Sequence, residues 1–336
     1  MNKHEMYEQV RLVCRMRRLS RHTEETYAGW IRRFGEHVRT CADRTREERV
    51  RLFLEKLAPC SAASTQNQAL NAIVFLYRDV IKEPLGEIGK WARAKRPQRL
   101  PTWLAPAEMR LLLDAMPANT RLMSEVAYGS GLRISELLNL RVKDVDLNAR
   151  LITVRGGKGD KDRITVLPQT VVHRLHAHIE RVRVIYERDR AESRMPIYLP
   201  DGLERKFPNG GREWAWFWLW PAGGESVDPR TKIVRRHHVH EHTLGKALRV
   251  AVRKCGITKR VTAHTLRHSF ATNLLANGAS ITQVQELLGH NSVETTQVYL
   301  HCVPKFAETI TSPLDVMPEA PNVLSFPQLQ PKARCA

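Results

Sequence analysis

The chain lacks most of what would mark it for secretion, for a membrane or for a disulfide framework. Its six cysteines, at positions 14, 41, 60, 255, 302 and 335, form no CxxC pair. That spacing excludes a zinc ribbon or a disulfide scaffold and points to reduced thiols in a cytoplasmic protein. No run approaches the roughly 18 consecutive apolar residues a spanning helix needs, and no amphipathic anchor stands out, so no membrane partner is expected. The N-terminal MNKHEMYEQVRLVCRMRR has no apolar core of a leader, so secretion is not expected either. Acidic residues are scarce, 35 Asp and Glu against 54 Lys and Arg, for a net charge of +19. A field of that sign favours a polyanion, and nucleic acid is the usual one. The clustered carboxylates that a two-metal nuclease requires are not apparent.

What is present suffices for two domains of ordinary size: 336 residues, 42% of them hydrophobic. Residues 1–94 read as a bundle of about four helices. In TEETYAGWIRRFGEHV, residues Tyr27, Trp30, Ile31, Phe34 and Val38 form one apolar stripe; in STQNQALNAIVFLYRDVI, Leu70, Ile73, Val74, Tyr77 and Ile81 do the same. KRPQRLPTWLAP (95–106) combines three prolines with basic residues and reads as a stiff linker, with Arg96 and Arg99 placed to follow a phosphate backbone. From 107 the pattern is mixed. Pro106 suits the first position of a helix, and another helix over about 120–128 breaks at Gly129-Ser130-Gly131. LITV and ITVLP flank the glycine turn RGGKGDKDR and predict a hairpin. Helices return in VVHRLHAHIERVRVIYERDR, in HTLGKALRVAVRKC before Gly256, in TLRHSFATNLLAN before Gly278, and in ITQVQELL, with Ser280 and Gln283 as a capping box.

Four segments place unusual polar groups at element boundaries: GSGLRISELLNL (Arg133, Glu136), RGGKGDKDR (Lys158), TAHTLRHSFAT (His264, Arg267) and LLGHNSVETTQVYLH (His290, Tyr299). Singly, each has an ordinary reading as a surface arginine, a turn lysine, a helix-end histidine or a packed phenol. As a set they match one chemistry. Two arginine forks suit the non-bridging oxygens of a phosphodiester. Two histidines can donate to those oxygens or move a proton near neutrality. A hairpin lysine can protonate a leaving oxygen, and a phenol can attack phosphorus and hold it covalently.

In order and spacing, residues 105–305 resemble the catalytic domain of the tyrosine recombinases, the λ-integrase-like phage integrase family. The resemblance rests on G-x-R-x-x-E, the hairpin Lys, H-x-x-R, L-G-H and a Tyr nine residues after that histidine. It implies a mainly helical α+β fold, with an N-terminal SAM-like core-binding domain (1–94) ahead of a catalytic domain (107–311) and a tail (312–336). It also implies that Arg133, His264, Arg267 and His290 hold the scissile phosphate, Lys158 is the general acid, Tyr299 is the nucleophile and Glu136 orients. No metal, ATP or other cofactor is implied.

Between hairpin and H-x-x-R lies an insertion, about 191–242, with four of the seven tryptophans in WAWFWLW beside RRHHVHEH. Read from the residues, it is either a satellite core, with the alternate tryptophans on one side of a strand, or a surface on which unpaired bases stack. His237, His238, His240 and His242 could also hold a metal, but no cysteine or carboxylate pattern supports that beyond Glu241. The insertion is similar to the extra segment of integron integrases. That family joins a cassette attC site, folded from one DNA strand, to a double-stranded attI site. The resemblance implies that His237 and His238, with Trp216, Trp218, Arg235 and Arg236, contact DNA. It further implies a tetramer of protomers on two sites, working in the bacterial cytoplasm on the nucleoid. Phage-type integrases, chromosome-dimer resolvases and type IB topoisomerases share the chemistry on duplex sites. A silent DNA-binding accessory protein shares only the charge.

Overall fold

The computed structural model describes residues 3–86, 100–156, 162–200, 202–228 and 231–302. The chain divides into two compact units, Met1–Arg99 and Leu100–Ala336. Lys158, Arg96 and Arg99 lie outside the described residues, as does the tail.

The first unit is helical: α1 (Lys3–Met16), α2 (Arg21–Val38), α3 (Arg46–Leu57) and α4 (Ala63–Phe75). Local chemistry sets the starts. The Ser20 hydroxyl accepts from the Thr23 N–H at 3.1 Å, and Thr45 with Glu48 forms a capping box at α3. The α2 stripe packs Trp30, Ile31 and Phe34 into the core, with Tyr27 and Val38 at its edge. α4 turns Ala69, Ala72 and Ile73 inward and leaves Leu70 and Val74 half-buried. Helix α4 packs against α2. Its last turn widens into a π-helix, Leu76–Ile81, ended by Lys82 at φ +65°.

The second unit opens with α5 (Pro106–Asp114), Pro106 at its first position, followed by α6 (Ala118–Gly129) and α7 (Ile134–Asn139). Strands β1 (Val145–Asp146), β2 (Leu151–Val154) and β3 (Arg163–Val166) form an antiparallel sheet in that order, with Leu151 opposite Val166 and Val154 opposite Arg163. Then come α8 (Val172–Ala191), the short α9 (Leu203–Lys206) and a second antiparallel pair, β4 (Pro221–Val227) with β5 (Val234–His238). Four helices close the described chain: α10 (Glu241–Lys254), α11 (Ala263–Ala276), α12 (Ile281–Leu288) and α13 (Val293–Gln297).

Helix α11 is buried along most of its length, and two of its buried polar side chains, Ser269 and Asn273, are answered inside the protein. Ser269 Oγ accepts from the Leu104 N–H at 2.9 Å and donates to the Thr265 carbonyl at 2.8 Å, while Asn273 donates to the Tyr128 hydroxyl at 2.9 Å. Each such bond avoids a desolvation cost of about 1–3 kcal/mol, so α11 is held at a fixed depth. That depth sets the position of everything it carries.

Among the described residues of the insertion, the tryptophan run is not a strand. Trp214–Trp216 form a 3₁₀ turn, and only the residues after it extend. The turn breaks the alternation that would have put all four rings on one side. The Val142 N–H donates to the Phe217 carbonyl at 3.0 Å and the Leu219 N–H to that of Leu140 at 2.9 Å, stitching the run to the catalytic unit. Phe217 and Trp218 join Val182 and Ile197 in a satellite core, and Trp220 joins the main one.

Candidate active site

The site grows out of three turns around α11. At the first, Gly131 takes φ +63°, and a Cβ there would lie 2.5 Å from the Phe270 ring. This glycine lets the backbone enter α7 against α11, and Arg133 follows as the residue capping α7. At the second, Gly289 ends α12 at φ +64°, where a Cβ would stand 2.7 Å from Arg163 Cδ. The third carries Tyr299 just past α13, its backbone N–H donating to the Thr296 carbonyl.

Glu136 organises the positive charge. Arg163 reaches it from β3 through two bonds, Nη1 to Oε1 at 2.9 Å and Nη2 to Oε2 at 2.7 Å, and a third goes from its Nε to the Leu287 carbonyl at 2.9 Å. Arg133 adds its backbone N–H at 2.8 Å and its Nη1 at 2.6 Å. Arg267 Nη1 stands 3.6 Å from the same carboxylate. Burial alone would raise the Glu136 pKa, but the bonds from Arg163 and the Arg133 N–H outweigh it and hold the value to about 2.

Arg267 is 3% exposed, its Nη1 donating to the Gly131 carbonyl at 2.7 Å and its Nη2 to that of Leu288 at 2.6 Å. Those carbonyls fix the guanidinium plane without cancelling its charge. Burial, then repulsion from Arg133, lowers its pKa to about 10, which leaves it cationic at neutral pH. Three guanidiniums therefore converge on one carboxylate, an arrangement left with net positive charge.

Tyr299 lies beside them, 4% exposed, packed with Phe270, Ala271, Val284 and Leu288. Burial raises its pKa, while Arg267 and Arg133 pull the other way. The His290 ring lies nearly parallel to the phenol at 17°, centroids 6.2 Å apart, its Nδ1 2.8 Å from Thr296 Oγ1. Burial, with Arg267, Arg133 and Arg163 nearby, lowers the His290 pKa to about 4. His264 is exposed at the start of α11. The structure thus brings Arg133, Glu136, Arg267, His290 and Tyr299 together, with His264 one helical turn from His268.

Two members escaped the sequence reading. His268 places Nδ1 2.9 Å from the Tyr299 hydroxyl, and Arg163 is the bidentate partner of Glu136. The signal for His268 was its i,i+4 spacing from His264 on one helix. Arg163 directly follows the glycine turn, where a basic residue looked like one of several turn charges.

In the insertion, three of the residues expected at DNA are buried inside the protein. Arg236 is 2% exposed and bound to Asp189, with Nη2 to Oδ1 at 2.7 Å; Arg235 is 3% exposed and paired with Glu204 at 2.5 Å. The Arg236 pair is buried at both ends, whereas Arg235 is buried against a Glu204 that is itself 41% exposed. Trp218 is 2% exposed, donates its Nε1–H to the Arg236 carbonyl at 3.2 Å and lies under the Arg141 guanidinium. Trp216 stays half-buried with Lys143 over its ring, and His237 and His238 are half-buried at the end of β5. Burial lowers the pKa of both histidines.

Residues 102–305 match the phage integrase family, and residues 6–87 match the N-terminal SAM-like domain of phage integrases. Proteins named integrase/recombinase from Escherichia coli and Pseudomonas aeruginosa are each 42% identical over 315 residues, 93% of this chain and 93% of each relative. Tyrosine recombinase XerA of Thermococcus onnurineus is 33% identical over 274 residues, 80% of this chain and 83% of its own length. The solved structure of XerH site-specific recombinase bound to palindromic difH substrate, a post-cleavage complex, matches with a TM-score of 0.57 at 22% identity, covering 85% of this chain and 78% of that one. The Tn1549 transposon integrase in complex with transposon right end DNA matches at 0.58 and 16% identity, covering 88% and 94%. Both structural likenesses concern the fold. The chain belongs to the phage integrase family, with that family's SAM-like helical domain ahead of a mixed α+β catalytic domain. More narrowly, it is a tyrosine recombinase, an enzyme that cleaves and rejoins DNA at specific sites. Among the described residues no helix is long and apolar enough to cross a membrane.

Proposed function

We propose that the chain is a recombinase of the integron type, exchanging strands between a folded single-stranded attC hairpin and a duplex attI site. The reading of the chemistry rests on one observation: a buried Tyr299 hydroxyl set among neutral imidazoles and three guanidiniums that share a single carboxylate. The phenol oxygen attacks the scissile phosphorus, forms a 3′-phosphotyrosine and expels the 5′ oxygen, which Lys158 protonates. Arg133, Arg267, His264 and His290 meet the charge on the non-bridging oxygens. Glu136, held by Arg163, keeps Arg133 in place. A 5′ hydroxyl from the partner strand then attacks the phosphotyrosine and restores the phenol. Two sites with two cleavages each call for four protomers, acting on the nucleoid in the bacterial cytoplasm.

The insertion supports the hairpin substrate. It is anchored to the catalytic unit by backbone bonds, and it leaves Trp214, Trp216, His237 and His238 partly accessible, rings suited to unpaired bases. The likeness to tyrosine recombinase XerA of Thermococcus onnurineus, at 33% identity, fits the alternative of a recombinase acting on ordinary duplex sites. A nicked attC hairpin and the same sequence as a perfect duplex, each tested with Tyr299→Phe as control, separate the two. A detergent-resistant adduct on the hairpin, lost in the variant, is the expected result. Adduct on the duplex alone would keep the chemistry and end the integron assignment.

A further inference from the structure

The active site contains one polar contact that the four phosphate-binding groups and the general acid leave unexplained. The Tyr299 hydroxyl is 2.9 Å from His268 Nδ1, the rings 5.5 Å apart and inclined at 49°. Tyr299 is 4% exposed, so its hydroxyl depends on protein partners, and His268 supplies this one from α11. α11 cannot shift easily, because its neighbours Arg267 and Ser269 are tied to carbonyls and to the Leu104 N–H. The nucleophile is therefore gripped by a rigid element next to Arg267, a residue that holds the phosphate in the mechanism above.

We propose that His268 is the group that aims the Tyr299 hydroxyl and accepts its proton as the phenol oxygen attacks phosphorus. The inference rests on the reading of Tyr299 as nucleophile. The O–H bond breaks toward Nδ1, the O–P bond forms, the P–O5′ bond breaks, and the departing oxygen takes its proton from Lys158. His268 becomes an imidazolium. In the reverse step, a 5′ hydroxyl gives its proton to the now neutral Lys158 and attacks phosphorus, while the imidazolium of His268 returns its proton to the departing phenol oxygen. Protons and electron pairs balance with no further reagent. A neutral imidazole is required beforehand. Burial first, then the neighbouring His264 and Arg267, lowers the His268 pKa to about 4, so the ring is neutral at neutral pH, and its Nε2–H tautomer presents Nδ1 as the acceptor. The groups facing this pair are His264 and Arg267 on α11, Arg133 before α7, His290 after α12, and Cys302 beyond Tyr299.

The test uses the full chain and single-turnover cleavage of the nicked hairpin probe, or of the duplex if that is the one cleaved. His268→Asn can keep a hydrogen bond to the hydroxyl but cannot take its proton; His268→Phe keeps bulk alone. The expected result is a loss of about 10²-fold or more in cleavage rate for His268→Asn, with probe affinity unchanged. That loss shrinks as pH rises from 7 to 9.5, because the small fraction of phenol already ionised grows with pH even below its raised pKa. A probe with sulfur in place of the bridging 5′ oxygen, whose thiolate leaves without protonation, restores Lys158→Ala and leaves His268→Asn slow. A His268→Asn enzyme as fast as wild type, or one restored by the sulfur probe, overturns the proposal. A Tyr299→Phe enzyme that still forms adduct overturns the nucleophile assignment itself, a separate outcome.

Discussion

Arg267 and Arg236 are buried alike, 3% and 2% exposed, and the protein uses them in opposite ways. Arg236 meets Asp189 in a two-bond pair, so its charge is cancelled where it stands. Arg267 is pinned by two backbone carbonyls and shares Glu136, at 3.6 Å, with two other arginines. One region of the catalytic unit buries arginines to hold an insertion together; the other keeps a surplus of positive charge beside a phenol. What separates a structural from a functional buried arginine here is how directly its one carboxylate binds it and how many other arginines share that carboxylate, and depth alone does not.

Breaking each side of that comparison gives the largest effects. Asp189→Asn leaves Arg236 buried and unpaired, and should cost about 3–5 kcal/mol of stability in denaturant unfolding, with cleavage per folded molecule retained. Arg267→Lys should do the reverse. It loses the planar fork, and single-turnover cleavage should fall about 10²–10³-fold with a much smaller change in stability. If both variants lost stability equally and neither lost cleavage selectively, the distinction would fail.

Glu136→Gln sits between the two. The folded pKa of about 2 lies below the ordinary glutamate value, so Glu136 stabilises the fold above roughly pH 4.3, and that contribution fades as pH falls toward 2. Acid unfolding of the Gln variant should lack that part of the slope. His268 and His290 titrate near 4 in the fold, against about 6.5 when free. The unfolded chain therefore binds more protons between those values, and stability should decline as pH falls from 6.5 to 4. His290→Asn should remove one proton's share of that decline, measurable by denaturant titration at several pH values.

The smallest effect sharpens the comparison best. Replacing Arg236 and Asp189 together by Met and Leu should change stability little, or improve it, since both charges leave at once. It should not alter the salt dependence of DNA binding, because both groups are buried and paired with each other. A shallower salt slope would return Arg236 to the DNA interface.

Much of this fold could be read from local signals. Ser280 with Gln283, Pro106, and the glycines at 256 and 278 are each a complete instruction carried by a few residues. The β4–β5 pair was not legible: PAGGESV carries two glycines and no alternation, and its partner strand reads as a basic run. What lets VRRHH bury its two arginines in a strand is Asp189 on α8 and Glu204 on α9, more than 30 residues away. Similarly, WAWFWLW looked like one strand until a 3₁₀ turn at Trp214–Trp216 broke its parity. At the site, residues with an unusual position stood out, and residues that act through a distant partner did not. Arg163 has meaning only beside Glu136, 27 positions earlier, and His268 only beside Tyr299, 31 positions later.

The central claim is that Tyr299 carries the covalent bond to DNA. The most direct measurement traps the adduct on a nicked probe, digests it, and locates the phosphate-bearing residue by peptide mass spectrometry. The account predicts a nucleotide remnant on the peptide containing Tyr299, at that phenol and nowhere else. A remnant on another tyrosine, or on a serine or histidine, would contradict it.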